Sequence, residues 1–132
     1  MCIKEIKSDN KLIAFIISKN YHEDGLRFVT DPEFPLQLAF IKNSKNSIVE
    51  RHFHPSFNRV IKERMEFIFV CKGRLYIEFY DNNKNFLEGC KVSSGDSVFI
   101  ASGGHSIKYL ETSEIIELRL GPYNKKLDKV NF

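Results

Sequence analysis

The hydrophobic and polar positions of this chain follow the two-residue period of β-strands over most of its length. Short apolar or alternating runs are separated by turns rich in glycine, asparagine and serine. Side chains on a strand point alternately to opposite faces, so such runs have one face suited to burial. We therefore predict strands at residues 12–17, 36–41, 47–54, 65–71, 74–80, 86–92, 97–100, 105–110 and 114–120.

The spacing of these runs also predicts the fold class. No stretch carries a long helical period, and no linker, repeat or low-complexity tract divides the chain. Short strands at regular spacing are typical of all-β sandwiches and barrels. A chain of 132 residues is the size of one domain with its own core. We predict an all-β fold in a single domain spanning residues 1–132.

The run at residues 65–71 is apolar on both of its faces. If Glu66 points into the interior, then Ile68 and Val70 do so as well. The opposite face carries Phe67, Phe69 and Cys71. An outer apolar face of this kind needs cover, either from the strand predicted at 12–17 or from a second copy of the chain. We therefore expect a homodimer.

Composition narrows the class of protein. Hydrophobic residues make up 42% and charged residues 28%, which excludes a disordered chain. No apolar run approaches the length of a membrane span, and the first ten residues lack the apolar core of a signal peptide. The three cysteines, Cys2, Cys71 and Cys90, form no C-x-x-C or C-x-x-H pair of the kind that binds structural zinc. We expect a cytoplasmic protein with reduced thiols and no membrane partner.

The charge of the chain is mildly basic. The net charge is +3 with a pI near 8.7, and only Lys125 and Lys126 are adjacent lysines. Nucleic-acid binding requires a dense basic stripe or a reading helix, and the sequence has neither. The lysines indicate a solvated surface, and we predict no nucleic-acid partner.

The candidate chemistry lies in two histidines separated by one residue. On a strand, His52 and His54 would share a face, and Glu66 and His105 follow later in the chain. Imidazole and carboxylate ligands together suit Fe(II), Mn(II), Ni(II), Cu(II) or Zn(II). We predict a divalent metal site formed by His52, His54, Glu66 and His105. Glu63 is an alternative ligand, although it has the opposite parity from Glu66 and lies outside the apolar run.

The order and spacing of these residues resemble the cupin family. Four residues match the first cupin motif, H-x-H followed by E-x6-G: His52, His54, Glu66 and Gly73. Three match parts of the second motif, Gly95, Gly103 and His105, with the histidine one residue early. The departures are Asn46 for the first glycine, an insertion at 55–65 before the glutamate, Ala101 for the proline, and no final asparagine. The resemblance covers about residues 36–121 and implies a jelly-roll β-barrel.

A further likeness narrows the group. Residues 66–123 look like small single-domain bacterial cupins of surface-sugar biosynthesis. The likeness is carried by residues 66–70, 79–81, 95–96, 102–105, 121–123 and 128–129. It implies a small dimeric β-barrel and assigns no reaction.

Three functions follow as hypotheses. The first is a metal-dependent isomerase or epimerase acting on a sugar or nucleotide sugar, with the metal as Lewis acid. The second is a binding module that carries or senses a small ligand without chemistry. The third is a metal-free sugar-nucleotide ketoisomerase, in which a histidine or tyrosine moves the proton. The sequence assigns no catalytic residue and holds no G-x-S-x-G nucleophile elbow.

Overall fold

The regular structure of this protein consists of antiparallel β-strands. The computed structural model describes residues 2–127 and 129–132, and within them there are ten strands and no helix. The strands are β1 (Ile3–Ser8), β2 (Lys11–Ile17), β3 (Gly25–Phe28), β4 (Ala39–Lys42), β5 (Glu66–Lys72), β6 (Arg74–Tyr80), β7 (Phe86–Ser93), β8 (Ser97–Ile100), β9 (Gly104–Tyr109) and β10 (Glu114–Arg119). The prediction of an all-β protein is confirmed. The described part of the chain contains no helix that could cross a membrane.

The strands divide between two compact units. The first unit comprises Met1–Tyr21 and Glu63–Phe132, and the second comprises His22–Lys62. The first unit has a five-stranded sheet in the order β1-β2-β8-β5-β10 and a three-stranded sheet in the order β7-β6-β9. The second unit has the two-stranded sheet β3-β4. These described strands form three sheets and no closed barrel. Asp128, which helps to carry the cupin resemblance, lies outside the described residues.

Both sheets of the first unit contribute to one hydrophobic core. Ile68 and Val70 of β5 and Leu75, Ile77 and Phe79 of β6 have no exposed surface. They belong to one cluster of buried side chains. Each fully buried side chain of this type contributes roughly 1.5–3 kcal/mol relative to an exposed one. The alternation predicted for both strands is therefore confirmed.

Two glycines, Gly73 and Gly95, shape turns on either side of the core strands of the first unit. Gly73 joins β5 to β6 with a φ of 89°, and a Cβ there would lie 2.2 Å from the Ser113 hydroxyl. Gly95 has a φ of 91°. The next residue, Asp96, accepts backbone hydrogen bonds from Lys19 and Ser93 at 2.9 Å each. The positive φ of Gly95 and the hydrogen bonds accepted by Asp96 show that this Gly-Asp pair shapes the turn.

One predicted strand is absent. Residues 43–65, all of which the structure describes, have no regular secondary structure, so the prediction of a strand at 47–54 is wrong. A segment with alternating residues forms a stable strand only where a neighbouring strand completes its hydrogen-bond ladder and other residues cover its apolar face. Here both faces are open, since every residue from 41 to 64 is exposed and Phe53 is 85% exposed. Two observed strands, β1 and β3, were not among those predicted.

The second unit is held by a side-chain network in the connection between its strands. Gln37 donates from Nε2 to the carbonyls of Asp31 and Phe34 at 2.8 Å each. The buried Thr30 hydroxyl donates to the side-chain amide oxygen of Gln37, Oε1, at 2.9 Å. The strand predicted at 36–41 is shortened to β4 because residues 36–38 belong to this connection. Gln37 therefore ties together the connection between β3 and β4.

The outer face of the five-stranded sheet carries an apolar patch on β5 and β10. Phe67 pairs with Leu118, and Phe69 pairs with Ile116. Residues directly opposite in an antiparallel pair point to the same face. Phe69 is 36% exposed, Leu118 54% and Ile116 61%. The outward direction of these β5 side chains is as expected, and the homodimer stays a prediction.

We expect the chain to form a dimer that covers this patch, because contiguous exposed apolar surface favours association. Light scattering at high micromolar concentration should give twice the monomer mass, and Ile116→Glu should shift the protein to monomer by placing a charge in the apolar contact. The matched control is Val60→Glu, an equally apolar position that is 89% exposed in the second unit. A monomeric wild-type protein at this concentration contradicts the prediction.

Candidate functional site

The first unit contains a cavity of about 620 Å³ with a polar wall. The charged groups that line it include two carboxylates, an imidazole and two guanidinium groups: Glu66, Glu117, His105, Arg64 and Arg119. Cavities of roughly 300–1,000 Å³ with a few convergent polar groups are typical of small-molecule sites. The cavity is therefore the candidate site of this protein.

Strand register explains why these side chains converge. Glu66 lies opposite Arg119, and Ile68 lies opposite Glu117. In the three-stranded sheet, His105 lies opposite the buried Phe79. Because opposite residues share a face, the same alternation that buries Ile68 and Phe79 turns the charged groups toward the cavity. The apolar interior thus becomes polar at one end of the two sheets.

A glycine-rich turn at residues 102–104 positions His105 at the cavity. Gly103 has a φ of 72°, and a Cβ there would lie 2.2 Å from the Tyr80 carbonyl oxygen. Its backbone N–H donates to the Asn82 side chain at 3.3 Å. The hydroxyl of Ser102 donates to the Leu12 carbonyl at 2.8 Å. This turn lets the backbone bend closely before β9, the strand that carries His105.

Glu66 and His105 form the closest pair of candidate ligands. The Glu66 Oε2 to His105 Nε2 distance is 3.6 Å, and the side chains are 19% and 25% exposed. Burial lowers the pKa of His105, and the charge of Glu117 opposes that shift only in part. The lowered pKa favours the neutral form of the His105 imidazole at neutral pH. A neutral ring keeps the lone pair that metal binding or proton transfer requires.

The spacing of this pair fits a shared divalent ion. Metal bonds to imidazole nitrogen and carboxylate oxygen are about 2.0–2.2 Å long. Two such bonds can span the observed 3.6 Å between Glu66 and His105. Both donors are of types that first-row divalent metals accept. Glu63, the alternative ligand, is exposed and is not part of the cavity lining given by the structure.

His52 and His54 lie together in the second unit. Both are exposed, and their ring centroids are 5.0 Å apart in an edge-on arrangement. The Nδ1 of His52 is 2.7 Å from the carbonyl oxygen of Glu50. Since a carbonyl only accepts, Nδ1 donates, and in the neutral tautomer Nε2 is the atom with the lone pair. Local chain geometry, rather than a shared strand face, brings these two rings together.

The four predicted ligands therefore form two pairs, each within its own unit. Glu66 lies beside His105, and His52 lies beside His54. Among the residues that the structure describes, no three or more His, Cys, Asp and Glu side chains form a group that could hold a metal ion. The four-ligand site stays a prediction.

Several cavity residues were not identified from the sequence as part of the site. Glu117 has the parity of Arg119, but its place opposite Ile68 depends on a register that only the fold supplies. Lys129 and Phe132 line the cavity although they follow the last strand. No periodic signal extends to that segment, so no pattern predicted its position.

Tyr80 adds a phenol to the polar groups that line the cavity. Its hydroxyl donates to Glu78 Oε2 at 2.6 Å. This hydrogen bond to the carboxylate raises the pKa of Tyr80, so the phenol stays protonated at neutral pH. The cavity therefore offers the neutral imidazole of His105 and the protonated phenol of Tyr80.

Comparison of this chain with models of protein families, with curated proteins and with solved structures finds no match. The interpretation of the site therefore depends on its own geometry and on the motif residues. Those residues are His52, His54, Glu66, Gly73, Gly95, Gly103 and His105.

We expect His105 to titrate below the ordinary histidine value of about 6.5 in folded, chelator-treated protein because burial lowers its pKa. A depressed folded pKa contributes stability that is present above the unfolded pKa and lost as pH falls through the folded pKa. Long-range ¹H–¹⁵N spectra across a pH series give the midpoint directly. Replacing His105 by Asn should flatten the dependence of the unfolding free energy on pH between the folded and the unfolded pKa of His105. A midpoint at or above the ordinary value contradicts the prediction.

Proposed function

We propose that this chain is a small metal-binding cupin that acts on a small polar ligand, with isomerisation or epimerisation of a sugar or nucleotide sugar as the reaction. The observation that carries the proposal is the Glu66–His105 pair, 3.6 Å apart on the wall of a cavity of about 620 Å³. A carboxylate beside a neutral imidazole is suited both to holding a divalent ion and to moving a proton.

His52, His54, Glu66 and His105 are the proposed metal ligands, and the metal is Fe, Mn, Ni, Cu or Zn. When bound, such an ion polarises a carbonyl or hydroxyl oxygen of the ligand. His52 supports this assignment because its Nδ1–H bond to the Glu50 carbonyl orients the ring and leaves Nε2 as the donor atom. His105 supports it because its lowered pKa favours the neutral form.

The remaining charged side chains of the cavity favour a hydroxylated or anionic ligand. Arg64 and Arg119 line it together with Glu117. The Arg119 guanidinium lies 3.9 Å from the Glu117 carboxylate. Guanidinium groups donate several hydrogen bonds in a fixed geometry, and carboxylates accept from hydroxyls. A sugar presents both kinds of partner, which is why we propose a sugar or nucleotide sugar.

The proposal includes the finer fold, a single-domain jelly-roll barrel that forms a homodimer. Two features support it: antiparallel sheets that share one apolar core, and the motif glycines at the turns, Gly73, Gly95 and Gly103. Backbone at positive φ in these turns is the geometry that glycine accommodates at least cost.

A metal-free ketoisomerase is the second candidate, and one observation favours it. His105 and Tyr80 line the same cavity, the first neutral and the second protonated at neutral pH. Such a pair can accept a proton at one carbon and donate one at a neighbouring oxygen. A binding module without chemistry is the third candidate. Turnover assays with candidate sugars separate it from both enzymes.

We expect the double variant His52→Ala/His54→Ala to lose the divalent metal. The two rings supply half of the proposed donors, and Glu66 with His105 alone makes an incomplete shell. The measurement is elemental analysis of protein purified without a metal-affinity tag. His22→Ala is the matched control, since His22 is another exposed histidine of the second unit. If the double variant keeps full metal stoichiometry, these residues are not the ligands.

We expect sugar or nucleotide-sugar binding to be stronger in metal-loaded protein than in chelator-stripped protein, because an ion with open positions binds ligand oxygens directly. Calorimetric titration of both forms measures the difference. Glu66→Gln should reduce it, whereas Glu114→Gln, an exposed position on β10, should not. Equal affinity in the two forms makes the metal incidental to recognition, and turnover in the stripped form favours the metal-free enzyme.

A further inference from the structure

The aromatic ring of Phe132 packs against the backbone of Gly104 beside the cavity. It lies over Gly104, where an added Cβ would be 2.8 Å from two carbons of the ring. It also meets Tyr80 edge-to-face, with ring centroids 5.1 Å apart and planes at 89°. Edge-to-face contacts of this geometry are among the favoured aromatic arrangements. The ring therefore occupies a defined socket formed by Gly104 and Tyr80.

The socket is held in place independently of Phe132. Tyr80 donates its hydroxyl hydrogen to Glu78 Oε2 at 2.6 Å, which orients the ring without any contribution from Phe132. Gly104 belongs to β9 and lies opposite Tyr80 in the sheet. Phe132 itself remains 60% exposed, so few contacts hold it there. A ring that is seated but mostly exposed can leave its socket at small cost.

The segment that leads to this ring lies along the cavity. Lys129, Val130, Asn131 and Phe132 all line it, together with His105 and Glu66. We infer that residues 129–132 form a strap that closes one side of the cavity, with Phe132 in the Gly104–Tyr80 socket as its latch. Release of Phe132 opens the cavity and gives solvent and ligands access to His105.

The strap has two consequences for any molecule that enters. In the closed position it adds the cation of Lys129 to the wall that already holds Arg64 and Arg119. A seated Phe132 also slows the departure of a bound molecule, since the strap must move before the cavity opens. The inference concerns access alone, so it holds whether or not the cavity binds a metal or a sugar.

Two single variants should each remove the contact between Phe132 and Gly104, one by changing each partner. Phe132→Ala removes the ring, and Gly104→Ala places a Cβ where the ring sits. The backbone of Gly104 is not at positive φ, and the next nearest atom to that Cβ, on Tyr80, is at an ordinary 3.5 Å. Phe86→Ala is the matched control. It removes a ring of similar exposure, 57%, that also contacts Tyr80 but is not among the residues lining the cavity.

The readout is the rate at which diethyl pyrocarbonate modifies His105 in chelator-treated protein, followed by peptide mass spectrometry with His22 as internal reference. Loss of one ring contact should raise the His105 rate on the order of two- to ten-fold in Phe132→Ala and in Gly104→Ala. The double variant should match either single variant, because both remove the same contact. The rate in Phe86→Ala should equal that of the wild type.

The inference is overturned if Phe132→Ala leaves the His105 rate unchanged, or if Phe86→Ala raises it to the same extent. If the effects of Phe132→Ala and Gly104→Ala on the His105 rate are additive, the inference is also overturned, because the two variants would then act at separate places. Thermal unfolding of each variant checks the fold. If Gly104→Ala unfolds, the comparison of Phe132→Ala with Phe86→Ala decides alone. None of these outcomes depends on metal or sugar binding, so failure of the strap and failure of the proposed function are distinguishable.

Discussion

The burial of one face of β5 and one face of β6 is the constraint on which the first unit depends. Ile68 and Phe79 are fully buried, and a shift of one residue in either strand would expose them. The same register fixes Glu66 on the inner face and sets His105 opposite Phe79. The position of the candidate site is therefore a consequence of core packing, and polar side chains could be placed there without changing the pairing of the strands.

Placing polar groups at the end of an apolar interior costs stability. Glu66 and His105 are 19% and 25% exposed, so both lose part of their hydration. For His105 this cost appears as a lowered pKa, because a neutral ring is easier to bury than a cation. The carboxylates of Glu66 and Glu117 are balanced by Arg64 and Arg119 on the same cavity. A site maintained at such a cost is what function, rather than folding, would require.

The alternating pattern predicted a strand correctly where neighbouring strands pair with it on both sides. It predicted a strand wrongly where no neighbouring strand exists. Alternation predicted β6 to the residue, because its neighbours β7 and β9 complete the ladder that the pattern implies. Residues 47–54 carry a comparable pattern yet form no strand, since pattern alone does not supply a partner. Glu66 and His105 were identified by motif spacing. Glu117 was not, because only cross-strand register places it opposite Ile68. Phe132 carried no signal at all.

Two adjacent glycines show why residue type alone does not separate folding from function. Gly103 has a φ of 72°, and a Cβ there would lie 2.2 Å from a backbone oxygen, which cannot move without disturbing β6. Its identity is set by the turn. Gly104 is free of that restriction, and the two nearest atoms that a Cβ would meet belong to the ring of Phe132. A side chain at Gly104 would therefore displace a removable contact and leave the sheet intact. The first glycine presents His105 to the cavity, and the second makes room for the residue that closes it.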